Sequence, residues 1–210
     1  MTHLMAFGHS VAQGYWDVEG GWIQRLRKYL DKRYIEHHED LYDDYFFEVY
    51  NEGISGEDTN ELLQRLEGEL EIRKRDKEDI VILQIGVNDT QIKSGEPRVT
   101  VDEFSSNLES IIDLAQKQVN NVIFLGDGYI GDIEYSPGSK AKISDKRLEE
   151  FENIKAKICR KKGVEFIDIR SEFSREEWKE YQYDGLHPNS EGHQEIFKLV
   201  KKELERQNLI

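Results

Sequence analysis

Short apolar runs recur along the chain at Leu4 to Phe7, Phe46 to Tyr50, Ile80 to Ile85, Asn121 to Leu125 and Val164 to Ile167. Several are near-continuous in Val, Ile, Leu and Phe. Strands covered on both faces of a parallel sheet read this way, whereas half-exposed strands alternate. Longer stretches of helical period lie between the runs. The clearest opens with Thr100 and Glu103 as a capping box and carries Phe104, Leu108, Ile111, Ile112, Ala115 and Val119 on one face. Similar stripes run through Trp22, Ile23, Leu26, Tyr29 and Leu30, through Leu62, Leu63, Leu66 and Leu70, and through Ile196, Phe197, Val200 and Leu204. Alternating strand and helix imply right-handed crossovers and an α/β protein: a three-layer α/β/α sandwich on a mostly parallel five-stranded sheet. The charged stretches 36–44 and 73–79 read as solvated loops or helix ends. The longest stretch without clear period, 126–144, follows the fourth strand and is expected to overhang the edge of the sheet as a flap.

With 210 residues, 37% of them hydrophobic, the chain is long enough for one well-buried core and short for two, so a single domain over residues 1–210 is expected. A net charge of -14, from 29 basic against 43 acidic residues, argues against nucleic acid or an anionic membrane surface as the main partner, since both require a basic footprint. No apolar run approaches the ~18 residues of a membrane span, and Met1-Thr2-His3-Leu4 lacks the basic and apolar regions of a signal peptide, so a cytoplasmic location is expected. The oligomeric state is left open. Cys159, the only cysteine, stands in phase with Ile154 and Ile158 and reads as a small buried hydrophobe.

Candidate chemistry sits at the strand ends. Ser10 directly follows the first strand, and Asp184-Gly185-Leu186-His187-Pro188 lies far downstream. Ligands of an open parallel sheet collect at the carboxyl ends of its strands. A serine hydroxyl needs a base to take its proton, and a histidine oriented by a carboxylate is the commonest solution. In a D-x-x-H loop the carboxylate of Asp184 can fold back onto Nδ1 of His187, leaving Nε2 to face Ser10. Pro188 and Asn189 are placed to stop the loop and cap the last helix.

Two further signals follow the second and third strands: Asn51-Glu52-Gly53 and Gly86-Val87-Asn88-Asp89. With Gly8-His9-Ser10 and the D-x-x-H, these four blocks in this order resemble the SGNH/GDSL hydrolases, and they span almost the whole chain. The resemblance implies a flavodoxin-like architecture and a serine hydrolase that cleaves carboxylic esters through an acyl-enzyme, with Ser10, Asp184 and His187 as catalytic triad. It also implies an oxyanion hole from the N–H of Ser10, the N–H of Gly53 and the amide of Asn88, and no cofactor. Asn51 is expected to hydrogen-bond within its own turn. One departure stands out: the family usually has Asp where this chain has His9, which bears on the geometry of the nucleophile turn. Tyr15, Trp16, Tyr129, Tyr135 and Tyr183 lie near the motifs and offer aromatic walls for a small-molecule ester, either its acyl chain or a sugar ring. The family spans esterases, lipases, lysophospholipases, thioesterases and carbohydrate deacetylases, and the sequence does not choose among them.

Other readings are weaker. A non-catalytic binding module on the same scaffold would be expected to have lost one of Ser10, Asn88, Asp184 or His187. A flavin or nucleotide protein would want a phosphate-cradling loop after the first strand, and residues 8–14 form neither a P-loop nor G-x-G-x-x-G. His37-His38 lacks any metal-binding spacing and reads as solvated loop, so no metal is expected. His193, in phase with Ile196 and Phe197, reads as a packed or capping residue.

Overall fold

All five strand-like runs enter one parallel sheet. The computed structural model describes residues 1–37, 46–134 and 141–210. Along the chain come β1 (Thr2–Gly8), α1 (Ser10–Gln13), α2 (Gly21–His37), β2 (Phe47–Gly53), α3 (Thr59–Arg73) and β3 (Ile80–Gln84). Next are β4 (Ile92–Lys93), β5 (Glu96–Pro97), α4 (Val101–Gln118), β6 (Asn121–Leu125), β7 (Ile133–Glu134) and β8 (Ala141–Ile143). The chain ends with α5 (Asp145–Lys162), β9 (Glu165–Ile167), α6 (Ile169–Glu172), α7 (Arg175–Glu180) and α8 (Ser190–Arg206). The sheet order is β2-β1-β3-β6-β9, with every pairing parallel. Ranked by sequence this is 2-1-3-4-5, the flavodoxin-like order, which reverses direction between β1 and β3.

Side chains that alternate along a strand explain the continuous apolar runs. Met5, Phe7, Val81, Leu83, Val122 and Phe124 pack on the face covered by α3, α4 and α5. Leu4, Ala6, Ile80, Ile82, Ile123 and Leu125 pack on the opposite face, beneath α2 and α8. Both sets are buried, so an unpartnered polar group at either position would be costly. Truncating one such ring, Phe124→Ala, would cost about 3–5 kcal/mol in transfer energy and residual cavity.

Two departures from the sequence pattern matter for function. β2 continues three residues past the expected end, so that Asn51, Glu52 and Gly53 pair with Ala6, Phe7 and Gly8; the N-x-G block is the end of a strand, not a turn beyond it. The stretch 126–144, of which 135–140 lie outside the described residues, is packed at its start rather than free of the sheet edge. Its residues 126–130 are buried apart from a half-buried Tyr129. Further on, β7 and β8 join β4 and β5 in a small antiparallel sheet ordered β5-β4-β8-β7. Strands of two or three residues are too short to show a period. Among the described residues, no helix is long and apolar enough to cross a membrane.

Candidate active site

Ser10 is the first residue of α1, immediately after β1 delivers the chain to the carboxyl edge of the sheet. Its Oγ lies 2.9 Å from Nε2 of His187, and Nδ1 of His187 lies 2.8 Å from Oδ2 of Asp184. The D-x-x-H loop reaches back because it is closed on itself. The N–H of Tyr183 donates to the carbonyl of His187 at 2.8 Å. Gly185 takes a left-handed φ of +83°, which favours glycine. Asn189 then caps α8 by accepting from the N–H of Gly192 at 2.9 Å. Asp184 Oδ1 also accepts from the N–H groups of Leu186 and His187, at 3.0 and 2.8 Å. Partial burial pulls this carboxyl upward, but the hydrogen bonds from His187 and Leu186 outweigh it and hold Asp184 below the usual carboxylate range. An ionised Asp184 requires the proton on Nδ1 of His187, which leaves Nε2 free to accept from the serine hydroxyl.

Trp16 belongs to this group more closely than to an outer wall. Its Nε1–H donates to Asp184 Oδ2 at 3.1 Å; the Nδ1 of His187, 3.3 Å away, carries a proton and cannot accept. Trp16 has a left-handed φ of 62°, a conformation that costs a non-glycine residue about 1–3 kcal/mol. The Tyr15 ring lies 5.6 Å from the His187 ring, and its carbonyl accepts from Nε2 of the buried His193 at 3.0 Å. Burial holds the His193 imidazole below its ordinary pKa, in keeping with a packed rather than ligating residue. Tyr183 is exposed and stacks near Trp16 at 5.5 Å. Tyr129 is half-buried, with the guanidinium carbons of Arg170 and Arg175 at 4.8 and 4.9 Å from its ring centroid. Tyr135 and His38 lie outside the described residues; His37 is the exposed last residue of α2.

The other two blocks also arrive at this edge, with their donors partly engaged. The N–H of Gly53 donates to Asn51 Oδ1 at 3.0 Å, so the within-block bond expected of Asn51 uses the donor expected to face substrate. Gly53 packs directly on α1: a Cβ there would lie 2.4 Å from Gln13 N and 2.8 Å from Ala12 C. Asn88 is buried and donates one amide N–H to the carbonyl of Glu57 at 2.9 Å, leaving its second N–H. Behind it Asp89 accepts from the N–H and hydroxyl of Thr59 at the start of α3. Burial pushes the Asp89 carboxyl up to about 6 against those hydrogen bonds.

Sequence reasoning missed a buried polar cluster under the turn that carries Ser10. His9 is fully buried and is the N-cap of α1. Its Nδ1 accepts from the N–H of Val11 at 3.3 Å, so Nε2 carries the proton and donates to Asp127 Oδ1 at 3.0 Å. Lys155 Nζ donates to Asp127 Oδ2 at 2.8 Å and to Glu152 Oε1 at 2.6 Å. The N–H of Asp127 donates to Glu152 Oε2 at 3.1 Å. Burial opposes the charge on Asp127, but Lys155 and His9 hold its carboxyl well below the ordinary range. Burial drives Glu152 the other way, up to about 7, with Lys155 opposing and the charge of Asp127 adding to the rise. The available signal was Lys155 itself, a charge four residues from Phe151 and four from Cys159 in the apolar stripe of α5. A cavity of about 20 Å3 sits beside this cluster, bordered by Ser10, Val87, Gly128, Ile130 and Leu186. Among the described residues, no group of three or more His, Cys, Asp or Glu side chains is placed to hold a metal ion.

The model of the GDSL-like lipase/acylhydrolase family matches residues 6–195. No curated protein matches the chain. Solved structures do resemble it. The acetyl xylan esterase AlAXEase, at 24% identity and a TM-score of 0.73, covers 96% of this chain with 99% of its own. Axe2, an acetylxylan esterase from Geobacillus stearothermophilus, is 20% identical with a TM-score of 0.74, over 97% of this chain and 94% of that one. A lipase/acylhydrolase from Enterococcus faecalis is 22% identical with a TM-score of 0.71, over 99% and 97%. Axe2 variants described as catalytic mutants replace a serine, a histidine and an aspartate.

Proposed function

The chain belongs to the GDSL-like lipase/acylhydrolase family, and on that premise we propose that it is a serine esterase for short acyl groups, with Ser10 as nucleophile, His187 as general base and Asp184 as its orienter. The observation that carries this reading is the continuous hydrogen-bonded line from Ser10 Oγ through the His187 ring to Asp184. Ser10 Oγ attacks the ester carbonyl as its proton passes to Nε2 of His187. The imidazolium that forms is stabilised by Asp184. Negative charge develops on the carbonyl oxygen, and donors aimed at it usually supply the largest stabilising contribution. Those donors are the N–H of Ser10, in the first helical turn where such groups have no intrahelical partner, and the second N–H of Asn88. The N–H of Gly53 is not among them while Asn51 Oδ1 holds it. The intermediate collapses, the alcohol leaves with the proton from Nε2, and water activated by His187 then releases the acid.

The space beside Ser10 favours a small acyl group. A cavity of about 20 Å3 holds roughly one water-sized group, which suits the methyl of an acetyl ester and not a long chain. A wider hollow of about 410 Å3, lined by Tyr129, Tyr183, Gln182 and Gly185 among others, adjoins the D-x-x-H loop and offers room for the alcohol portion. Its tyrosines suit a sugar ring, and the acetyl xylan esterases of the same fold make acetylated carbohydrate the substrate class to try first. Hydrolysis of nitrophenyl esters from acetate to palmitate, for wild type beside Ser10→Ala, tests the proposal. Turnover that is greatest on acetate and lost in Ser10→Ala is expected. Equal turnover in both proteins sinks the serine mechanism, and a preference for long chains sinks the acyl assignment.

A further inference from the structure

We propose that Asp127 is a positioning residue for the nucleophile: acting through His9, it sets the turn on which Ser10 stands. This rests on the proposed role of Ser10. The helix that carries Ser10 is only four residues long, too short to hold its shape by its own hydrogen bonds. Its N-cap is an imidazole, which accepts from Val11 only in the tautomer that protonates Nε2. That tautomer leaves a buried donor, and a buried donor without an acceptor is costly. Asp127 is the acceptor, so it fixes both the tautomer and the ring plane.

Asp127 is itself immobile. Lys155 holds its other oxygen, and its backbone N–H is tied to Glu152. All four side chains are buried. The Lys155 chain has no slack on its far side, because even a Cβ on Gly86 would come within 2.7 Å of its Cε. A line of four contacts therefore runs from Glu152 through Lys155, Asp127 and His9 to the N–H of Val11, the residue next to Ser10. Asp127 meets neither Ser10 nor His187 in any of these contacts.

Both oxygens of Asp127 act as acceptors, which makes Asp127→Asn a sharp test. Oδ1 accepts from Gln84 Nε2 at 3.5 Å as well as from His9, so the new amide N–H2 must displace either Lys155 or that pair of donors. Turned toward the Lys155 ammonium it meets a full positive charge, so it turns toward His9. There it requires an unprotonated Nε2, which moves the ring proton to Nδ1 and leaves the N–H of Val11 without its acceptor. His9→Asn cuts the same line differently: it keeps an acceptor for Val11 but is too short to reach Asp127.

On nitrophenyl acetate each variant should lower kcat by about 10- to 100-fold with KM within about twofold, as a small misplacement of a reacting group does. The double variant should be no worse than the worse single one, because both cut one line. Wild-type kcat in Asp127→Asn, or losses that multiply in the double variant, would overturn the proposal. Circular dichroism identifies which variants fold; if Asp127→Asn does not, the same kcat and KM criteria apply to His9→Asn. If the wild type turns over no ester, the proposed function fails, while hydrogen exchange of the Val11 amide still decides this inference. Exchange about tenfold faster in Asp127→Asn supports it, and unchanged exchange overturns it.

Discussion

Replacing Lys155 by Met should destabilise the protein strongly and in a pH-dependent way. Methionine keeps about the length of the lysine stem beside Gly86 and removes the ammonium, which also lies 5.8 Å from the centroid of the Phe124 ring. That ammonium is fully buried and is the cation shared by Asp127 and Glu152, at 2.8 and 2.6 Å. Removing one partner of a buried ionic cluster typically costs about 3–5 kcal/mol, because charge is left behind without compensation. For a chain of this size that corresponds to a fall in melting temperature of roughly 6–20 °C. The sign of the pH dependence follows from the two carboxyls. Without Lys155 their folded pKa values rise above the unfolded ones, 3.8 and 4.5. A carboxyl raised in this way adds stability that is present below its unfolded pKa and lost as pH rises through its folded one. Wild type already loses stability as Glu152 titrates near 7; Lys155→Met loses the contribution of Asp127 as well. Urea unfolding followed by tryptophan fluorescence at pH 8 and pH 5 should show the larger deficit at pH 8, and Glu152→Gln should recover part of it. A deficit under about 1 kcal/mol at pH 8, or one that does not change with pH, would mean that the cluster is not ionised as described.

Asp89 offers a cleaner titration. Its carboxyl is raised from 3.8 to about 6 by burial, which corresponds to about 2.4 kcal/mol of stability lost between pH 4 and pH 7. Asp89→Asn has no such titration, so wild type should lose ground to it across that interval in urea midpoints; parallel curves would show that Asp89 is not held as described. Gly53→Ala drives a Cβ into the backbone of Ala12 and Gln13 and should cost about 1–3 kcal/mol by overpacking. Because the displaced backbone is that of α1, which carries Ser10, kcat on nitrophenyl acetate should fall too; an alanine variant with wild-type stability and kcat would refute the close approach of β2 to α1.

What was legible in the sequence was whatever depends on local pattern. Buried parallel strands must be apolar on both faces, so Leu4 to Phe7 and Ile80 to Ile85 announced the sheet. A serine at a strand end and a D-x-x-H on one loop are local motifs, so Ser10, Asp184 and His187 could be singled out from the sequence, and the structure brings them together at 2.9 and 2.8 Å. The end of β2 was not legible, because Asn51-Glu52-Gly53 has no strand propensity and pairs only because Gly53 lets its backbone lie against Gly8 and α1. The buried cluster was not legible for a different reason: its members are 118 residues apart in the His9–Asp127 pair and 28 in the Asp127–Lys155 pair, and no local rule joins them. That distance changes how His9 is understood. By family resemblance alone it is a departure from Asp that bears on the geometry of the turn carrying Ser10. In the fold it donates to the ionised Asp127 beside Gln84 and opposite Lys155, and His9→Asp would add a third carboxyl to a buried cluster with one ammonium. The residue that departs from the motif is therefore matched to Asp127, which is why cutting their contact from either side should have the same consequence for Ser10.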